Sequence, residues 1–280
     1  MAAFFEFLKA VLLGIVEGVT EWLPISSTGH MILVDEFITL SGSDAFKEMF
    51  FVVIQLGAII AVPVLYFDRL NPFSRKKNEG ERRGTLVLWL KVLVASVPAA
   101  ILGLLLDDIL DEYLYNPITV AIALAVYGIA FIVIERLRNR SGNKYRINDV
   151  SEITYRDAII IGAYQTLSLI PGTSRSGSTI LGGMLTGVSR SASAEFSFFL
   201  AIPVMLGASA LKLMKFFMEG GVLTGSEIGL LLVASAVAFI VSVAVIKLLV
   251  SFVSKHSFAA FGIYRIVLGV AVIAYFALFA

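Results

Sequence analysis

The chain has 280 residues, of which 58% are hydrophobic and 15% charged, with a mean hydropathy of +0.91. Soluble domains carry roughly 25% charged residues, so this composition excludes an ordinary soluble chain and predicts a polytopic membrane protein. A net charge of +1 argues against nucleic acid as a partner, and the lack of cysteine excludes disulfides, thiolate chemistry and zinc-thiolate sites.

In chain order, the N-terminal run Met1-Ala-Ala-Phe-Phe-Glu6 carries an acid where a signal peptide needs a basic region, so the first helix is expected to stay in the mature protein. Lys9 reads as a cation reaching back to the membrane interface. A polar passage follows, Gly14-Ile-Val-Glu17-Gly-Val-Thr-Glu21-Trp-Leu-Pro24-Ile-Ser26-Ser27-Thr28-Gly29-His30. Apolar spans are then predicted at 50–67, 86–106 and 117–134. A second passage, Gly162-Ala-Tyr-Gln165-Thr-Leu-Ser-Leu-Ile-Pro171-Gly172-Thr173-Ser174-Arg175-Ser176-Gly177-Ser178, precedes three more spans at 196–211, 228–246 and 258–279. The span at 196–211 is short of the roughly 20 residues a crossing needs and must extend past its ends.

The order of elements repeats. Leu93-Val-Ala-Ser96 returns as Leu232-Val-Ala-Ser235, and Ile54-Gln-Leu-Gly57-Ala58 returns as Val204-Met-Leu-Gly207-Ala208. Each half, about 1–140 and 150–280, is then one polar passage followed by three spans within a single transmembrane domain. The segments 69–83 and 135–156 hold six Lys/Arg each and are expected in the cytoplasm, whereas the link 107–112, with Asp107, Asp108, Asp111 and Glu112, is expected outside. An odd number of spans per half inverts the second half. The predicted fold is therefore all-α: six transmembrane helices plus two re-entrant helical hairpins arranged as inverted-topology repeats, the first dipping from outside and the second from the cytoplasm. Their broken tips are expected to meet near the midplane, where such backbone survives only if protein buries it or water reaches it.

Glu17 and Glu21, one helical turn apart, share a face. They call for a cation between them unless that helix end is simply bathed in water. The hydroxyls of Ser26, Ser27 and Thr28 stand just before His30, which suits a nucleophile beside its base, though a helix N-cap would use the same residues. Pro171 to Ser178 has the features of an anion cradle: glycines for close backbone approach, hydroxyl donors, a helix N-terminus, and Arg175 as a planar fork. Arg265 is expected to snorkel to the surface rather than face a cavity, and His256 to sit in a solvated loop. Gln55 and Gln165 suit either a cavity wall or an interhelical hydrogen bond.

Together, Glu17-x-x-x-Glu21, the run from Pro24 to His30, and Pro171-Gly-Thr-Ser-Arg175-Ser-Gly177 closely resemble the bacterial undecaprenyl-diphosphate phosphatase family of the bacitracin-resistance type. The resemblance covers essentially the whole chain, including Phe196-Ser-Phe-Phe-Leu-Ala-Ile-Pro203. It implies a multi-pass plasma-membrane hydrolase that takes the terminal phosphate from undecaprenyl diphosphate. Such an enzyme recycles the lipid carrier for peptidoglycan and other cell-wall polymers and confers bacitracin resistance. A divalent cation, Mg²⁺ or Ca²⁺, is implied, held by Glu17 and Glu21. Catalytic roles fall on Ser27, His30, Glu21 and Arg175, and substrate contacts on Ser26, Thr28, Gly172, Thr173, Ser174, Ser176 and Gly177. Two mechanisms stay open: attack by Ser27, assisted by His30 or Glu21, or attack by metal-bound water. The second passage departs from the first, with Gln165 in place of Glu17 and Ser168 or its neighbour in place of Glu21. The lipid head is expected to enter from the periplasmic or extracellular side, and a second copy of the chain is a candidate partner. A transporter or flippase of a lipid phosphate or other anion is the rival reading; a Glu/Ser/His cluster confined to one passage favours chemistry.

Overall fold

Apolar sequence at membrane depth must close its backbone hydrogen bonds within each segment, and helix is the open-chain solution. The computed structural model describes residues 2–279 except 141 and 143. Its helices are α1 (Ala2–Thr20), α2 (Ser27–Phe37), α3 (Asp44–Leu65), α4 (Phe67–Leu70), α5 (Glu79–Leu114), α6 (Pro117–Arg140), α7 (Tyr155–Gln165), α8 (Arg175–Leu185), α9 (Arg190–Met218), α10 (Gly225–Val253) and α11 (Ala259–Phe279). No strand occurs among the described residues, only an isolated bridge between Ile147 and Val188. Six of the helices, α3, α5, α6, α9, α10 and α11, are long and apolar enough to cross a membrane, as expected. The short fourth span does extend past both ends, to Arg190 and Met218.

One boundary differs from expectation. The stretch 107–112 is no link, because α5 continues through it to Leu114. Gly103 alone does not stop a helix; the chain turns only at Asn116-Pro117, where the Asn116 side chain accepts the Thr119 N–H at 2.9 Å and opens α6. The side chains of Asp107, Asp108 and Asp111 lie outside the described residues. Elsewhere helix starts are written locally: Asn78 with Glu81, Thr154 with Asp157 and Thr224 with Glu227 form capping boxes that begin α5, α7 and α10.

Long helices pack in a fixed set of partners. α10 lies against α1 and α3, α9 against α3, α5 and α8, and α5 against α7, while α6 and α11 form a pair of their own. That pair crosses at Gly128 and Gly262, where a Cβ on either residue would fall 2.6 Å from the carbonyl oxygen of the other. Small residues let membrane helices approach so closely, since hydrocarbon offers no hydrophobic drive between them. Trp22, Phe196, Phe198 and Phe199 fill the centre of the bundle, with Trp22 edge-on to Phe198 at 5.5 Å.

Polar contacts mark the two ends. At one, Glu6 in α1 accepts the Ser41 N–H at 2.9 Å, and Lys9 pairs with Glu6 and donates to Thr39 O at 2.8 Å. The start of α1 and the end of α2 therefore lie together, with Lys9 tying them. At the other, Arg146 donates to Thr186 O at 3.1 Å beside the Ile147–Val188 bridge, so the start of α7 and the end of α8 lie together. Arg69, after α3, joins this second end through Asp149 at 2.5 Å and Glu195 at 3.0 Å. Burial alone would raise Asp149, but the hydrogen bonds from Arg69 and Ser151 hold it down to about 2. That contribution is present above the ordinary carboxylate range and is lost as pH falls toward about 2.

Candidate functional site

Both polar passages break in the same way. α1 stops at Thr20, the chain turns through Pro24, and Ser26 caps α2 by accepting the Gly29 N–H at 3.2 Å. α7 stops at Gln165, a 3₁₀ turn spans Thr166–Leu169, the chain bends at Pro171-Gly172, and Ser174 caps α8 by accepting the Gly177 N–H at 3.0 Å. Ser26 (φ 75°) and Ser174 (φ 72°) are the non-glycine residues with positive φ among the described residues. Left-handed backbone at a non-glycine residue costs of order 1–3 kcal/mol, so it persists where the surroundings enforce it. Here it reverses the chain and turns a fresh helix N-terminus inward.

The two N-termini border one cavity of about 160 Å³. Glu21, Ser26, Ser27 and Thr28 line it from the first passage, Ser168, Pro171, Gly172, Ser174 and Arg175 from the second, and Gln55 and Met205 from α3 and α9. The first-turn N–H groups of a helix have no partner within it and carry the positive end of its dipole, so two converging N-termini favour an anion.

Side chains join the passages at Glu21. One carboxylate oxygen accepts the Ser27 hydroxyl at 2.6 Å and the other accepts Nη2 of Arg175 at 2.9 Å. Arg175 is held on its other side by Ser197, whose carbonyl accepts Nη1 at 2.8 Å, and lies over the Trp22 ring at 5.9 Å. Ser176 adds bonds to the carbonyls of Glu21 and Leu23, both at 3.2 Å. Ser27, Glu21 and Arg175 are thus a continuous chain of contacts running from one passage to the other.

Other expected residues fall outside that chain. His30 does not touch Ser27: its Nδ1 lies 2.7 Å from Ser26 O, its Nε2 lies 2.7 Å from the Tyr264 hydroxyl, and the two rings stack. Thr173 donates to Leu167 O and Ile170 O, and the Gly177 N–H is spent on Ser174, so both shape the second tip. Ser176 stitches the tips together. Gln55 lines the cavity; Gln165 is fully buried and its amide has no partner. His256 is exposed and stacks on Phe252. Arg265 contradicts its expectation outright, being fully buried with its guanidinium on four backbone carbonyls. A snorkelling side chain follows an open path to the interface, and α11 turns this one inward instead. Ser197 and Tyr264 were invisible as site neighbours in the sequence, since a serine or tyrosine within an apolar span has no local signature.

Glu17, one turn before Glu21, is fully buried, and neither of its carboxylate oxygens accepts a hydrogen bond. No third His, Cys, Asp or Glu joins Glu17 and Glu21 among the described residues. One or two carboxylates are the usual protein share of a Mg²⁺ site that substrate phosphates complete, so this donor set fits such an ion.

The chain has relatives along nearly its whole length. The family described as "Bacitracin resistance protein BacA" matches residues 10–271. Proteins named undecaprenyl-diphosphatase are similar end to end. One from Enterococcus faecalis is 57% identical over 95% of this chain and 96% of its own, and one from Desulfitobacterium hafniense is 56% identical over 98% and 97%. Another, from Limosilactobacillus fermentum, is 57% identical over 98% and 99%. With both signature passages meeting at a single cavity and the match reaching into all six spanning helices, the chain belongs to the BacA bacitracin-resistance family.

Proposed function

We propose that this cavity is where the chain removes the terminal phosphate of undecaprenyl diphosphate, returning the lipid carrier to cell-wall synthesis. The observation that carries the reading is the Glu21 carboxylate, which takes the Ser27 hydroxyl on one oxygen and the Arg175 guanidinium on the other. That is a nucleophile on its base, beside a fixed cation, at the meeting point of two helix N-termini. Relatives matched over nearly the whole of both chains carry the name undecaprenyl-diphosphatase.

In this mechanism Arg175 and the first-turn amides of α2 and α8 hold the diphosphate oxygens. Phosphoryl transfer asks mainly for such positioning and charge stabilisation. Ser27 Oγ attacks the terminal phosphorus as its proton passes to Glu21, and the bond to the bridging oxygen breaks, Glu21 handing that proton to the departing undecaprenyl phosphate. Water, deprotonated by the freed Glu21 carboxylate, then attacks the phosphoserine; the bond to Ser27 Oγ breaks, Glu21 returns the proton to that oxygen, and inorganic phosphate leaves. Ser26, Thr28, Gly172 and Ser174 line the pocket, while Thr173, Ser176 and Gly177 keep its walls in shape. His30, occupied by Ser26 O and Tyr264, supports the first tip in this arrangement and would reach the reaction only by leaving those partners. Mg²⁺ or Ca²⁺, held by Glu17 and Glu21, would neutralise substrate oxygens. Turnover retained in Ser27→Ala would favour direct attack by water.

The fold reading is two re-entrant hairpins in inverted repeats. Its support is the pattern of partners: α1 packs on α10 as α7 packs on α5. Gly14 lies against Ala234, its missing Cβ 2.5 Å from that carbonyl oxygen, just as Gly162 lies against Ala95 at 2.2 Å. Ala95 and Ala234 belong to the repeated Leu-Val-Ala-Ser run. The contacts at Ser41 and at Thr186 return each passage to the end it started from, and the two ends differ. The basic segments share the second end, which supports a cytoplasmic position for it by the positive-inside tendency. The first passage then opens on the periplasmic or extracellular face of the plasma membrane.

Two experiments test these readings. Purified protein in detergent should release inorganic phosphate from undecaprenyl diphosphate, stop in EDTA, and resume with Mg²⁺ or Ca²⁺; binding without release would favour a carrier. Because the chain is free of cysteine, single replacements report topology directly. In intact cells or spheroplasts, a membrane-impermeant thiol reagent should label Ser41→Cys and spare Lys76→Cys. The opposite labelling would invert the molecule.

A further inference from the structure

Arg265 is the largest buried charge outside the reacting chain of contacts, and its surroundings are unusual. It is 0% exposed, and no carboxylate pairs with it among the described residues. Nη1 donates to Pro24 O at 2.9 Å, Nη2 to Gly172 O at 2.7 Å and Thr173 O at 3.0 Å, and Nε to Leu124 O at 3.4 Å. The Tyr127 ring covers it, 5.4 Å from centroid to guanidinium carbon. Burying a cation is costly unless every donor is matched. Here carbonyl dipoles and an aromatic face do the matching.

The choice of carbonyls is informative. Pro24 and Gly172 each stand two residues before the strained capping serine of their passage, Ser26 and Ser174. Breaks in helices leave carbonyls without backbone partners, and one planar fork collects the corresponding carbonyl from each tip. Glu21 and Ser27 flank Pro24 at three residues on either side, and Arg175 follows Gly172 by the same distance. Arg265 belongs to neither passage; it comes from α11, which packs on α6. It is absent from the cavity wall and does not reach the reacting groups.

We infer that Arg265 is a positioning residue: by binding Pro24 O and Gly172 O with one guanidinium, it keeps Glu21 and Ser27 in register with Arg175. This deepens the phosphatase reading and rests on it. A lysine keeps the charge but cannot span both tips, so Arg265→Lys is the informative change. Misplacement by about 1 Å costs on the order of 10²-fold in rate.

The test uses full-length protein purified in detergent, with phosphate release from undecaprenyl diphosphate measured per folded molecule and melting followed in parallel. Wild-type turnover establishes the phosphatase reading independently; its absence would overturn that reading and not bear on the register of the tips. Arg265→Lys is expected to lower kcat about 10²-fold with KM changed by less than about threefold, and adding Arg175→Ala to it should cost far less than in wild type. If only melting falls and kcat is unchanged, the residue is merely structural and the inference fails. It fails equally if the two substitutions multiply. Should Arg265→Lys not fold, Tyr127→Leu removes the ring beneath the guanidinium, and kcat should fall about fivefold with KM steady. An unchanged kcat there would also overturn the inference.

Discussion

Arg175→Ala is expected to lower kcat for phosphate release about 10³-fold, the upper end of what losing one preorganised donor to a developing charge costs. The side chain is one-tenth exposed and bridges Glu21 and Ser197, so nothing nearby can replace it. Its removal also leaves the Glu21 carboxylate buried without its cation, facing an incoming diphosphate. Breaking a buried pair costs about 3–5 kcal/mol, so activity must be referred to the folded fraction, by size-exclusion profile and melting. Arg175→Lys should recover little, because an ammonium cannot donate to Glu21 and Ser197 in the geometry the planar fork provides. An alanine variant within tenfold of wild type would remove Arg175 from the reaction.

The largest expected effect on stability is Gly57→Ala. A Cβ there would stand 2.1 Å from the carbonyl oxygen of Ser235 and 2.6 Å from its Cα, so two backbones, α3 and α10, would have to separate. Overpacking costs typically 1–3 kcal/mol where side chains can move, and more is expected where only backbone can give. Its echo, Gly207 on α9, has open space where the Cβ would be. Gly207→Ala should therefore be neutral, or stabilise by up to about 1 kcal/mol through helix propensity. Melting of the two variants in one detergent is the check; equal destabilisation would contradict the close α3–α10 contact.

That pair shows where sequence reading stops. Gly57 and Gly207 sit in matching runs, and composition makes them equivalent; only the three-dimensional partner separates them. The spans were legible because apolar length is a direct consequence of bilayer thickness. The two passages were legible because Pro, Gly and clustered hydroxyls are out of place in such surroundings, and Glu21, Ser27 and Arg175 could be named on that ground. Their register was legible in part: Gln165 in place of Glu17 is the same offset as Ser174 for Ser26, the two capping serines, whereas Ser168 for Glu21 is one residue short of it. At the offset of the caps Pro24 pairs with Gly172 and Ser27 with Arg175. The second passage therefore carries its cation where the first carries its hydroxyl.

Arg265 and His30 mark the other limit. A lone arginine in an apolar span has the same sequence whether it snorkels or turns inward, and its partners here are carbonyls, which every residue possesses. His30 suggested a base by proximity to Ser27, but position along a helix sets direction. Ser27 points to Glu21, while His30, three residues on, meets Tyr264 on α11. Glu17 lies on α1 and Glu21 in the turn just past its end, and burial of Glu17 excludes the water-bathed alternative. The continuation of α5 past Asp107 shows the converse error, since charge alone breaks no helix.

The central claim is that residues from both passages act as one unit. It is tested most directly by a double-mutant cycle on phosphate release from undecaprenyl diphosphate, with Glu21→Gln, Arg175→Ala and the double variant compared with wild type under single-turnover conditions. Groups that act together are strongly non-additive. The double variant should therefore be about as slow as the slower single variant. A loss equal to the product of the two single losses would mean that Glu21 and Arg175 work independently, and would contradict a site built jointly by the two passages.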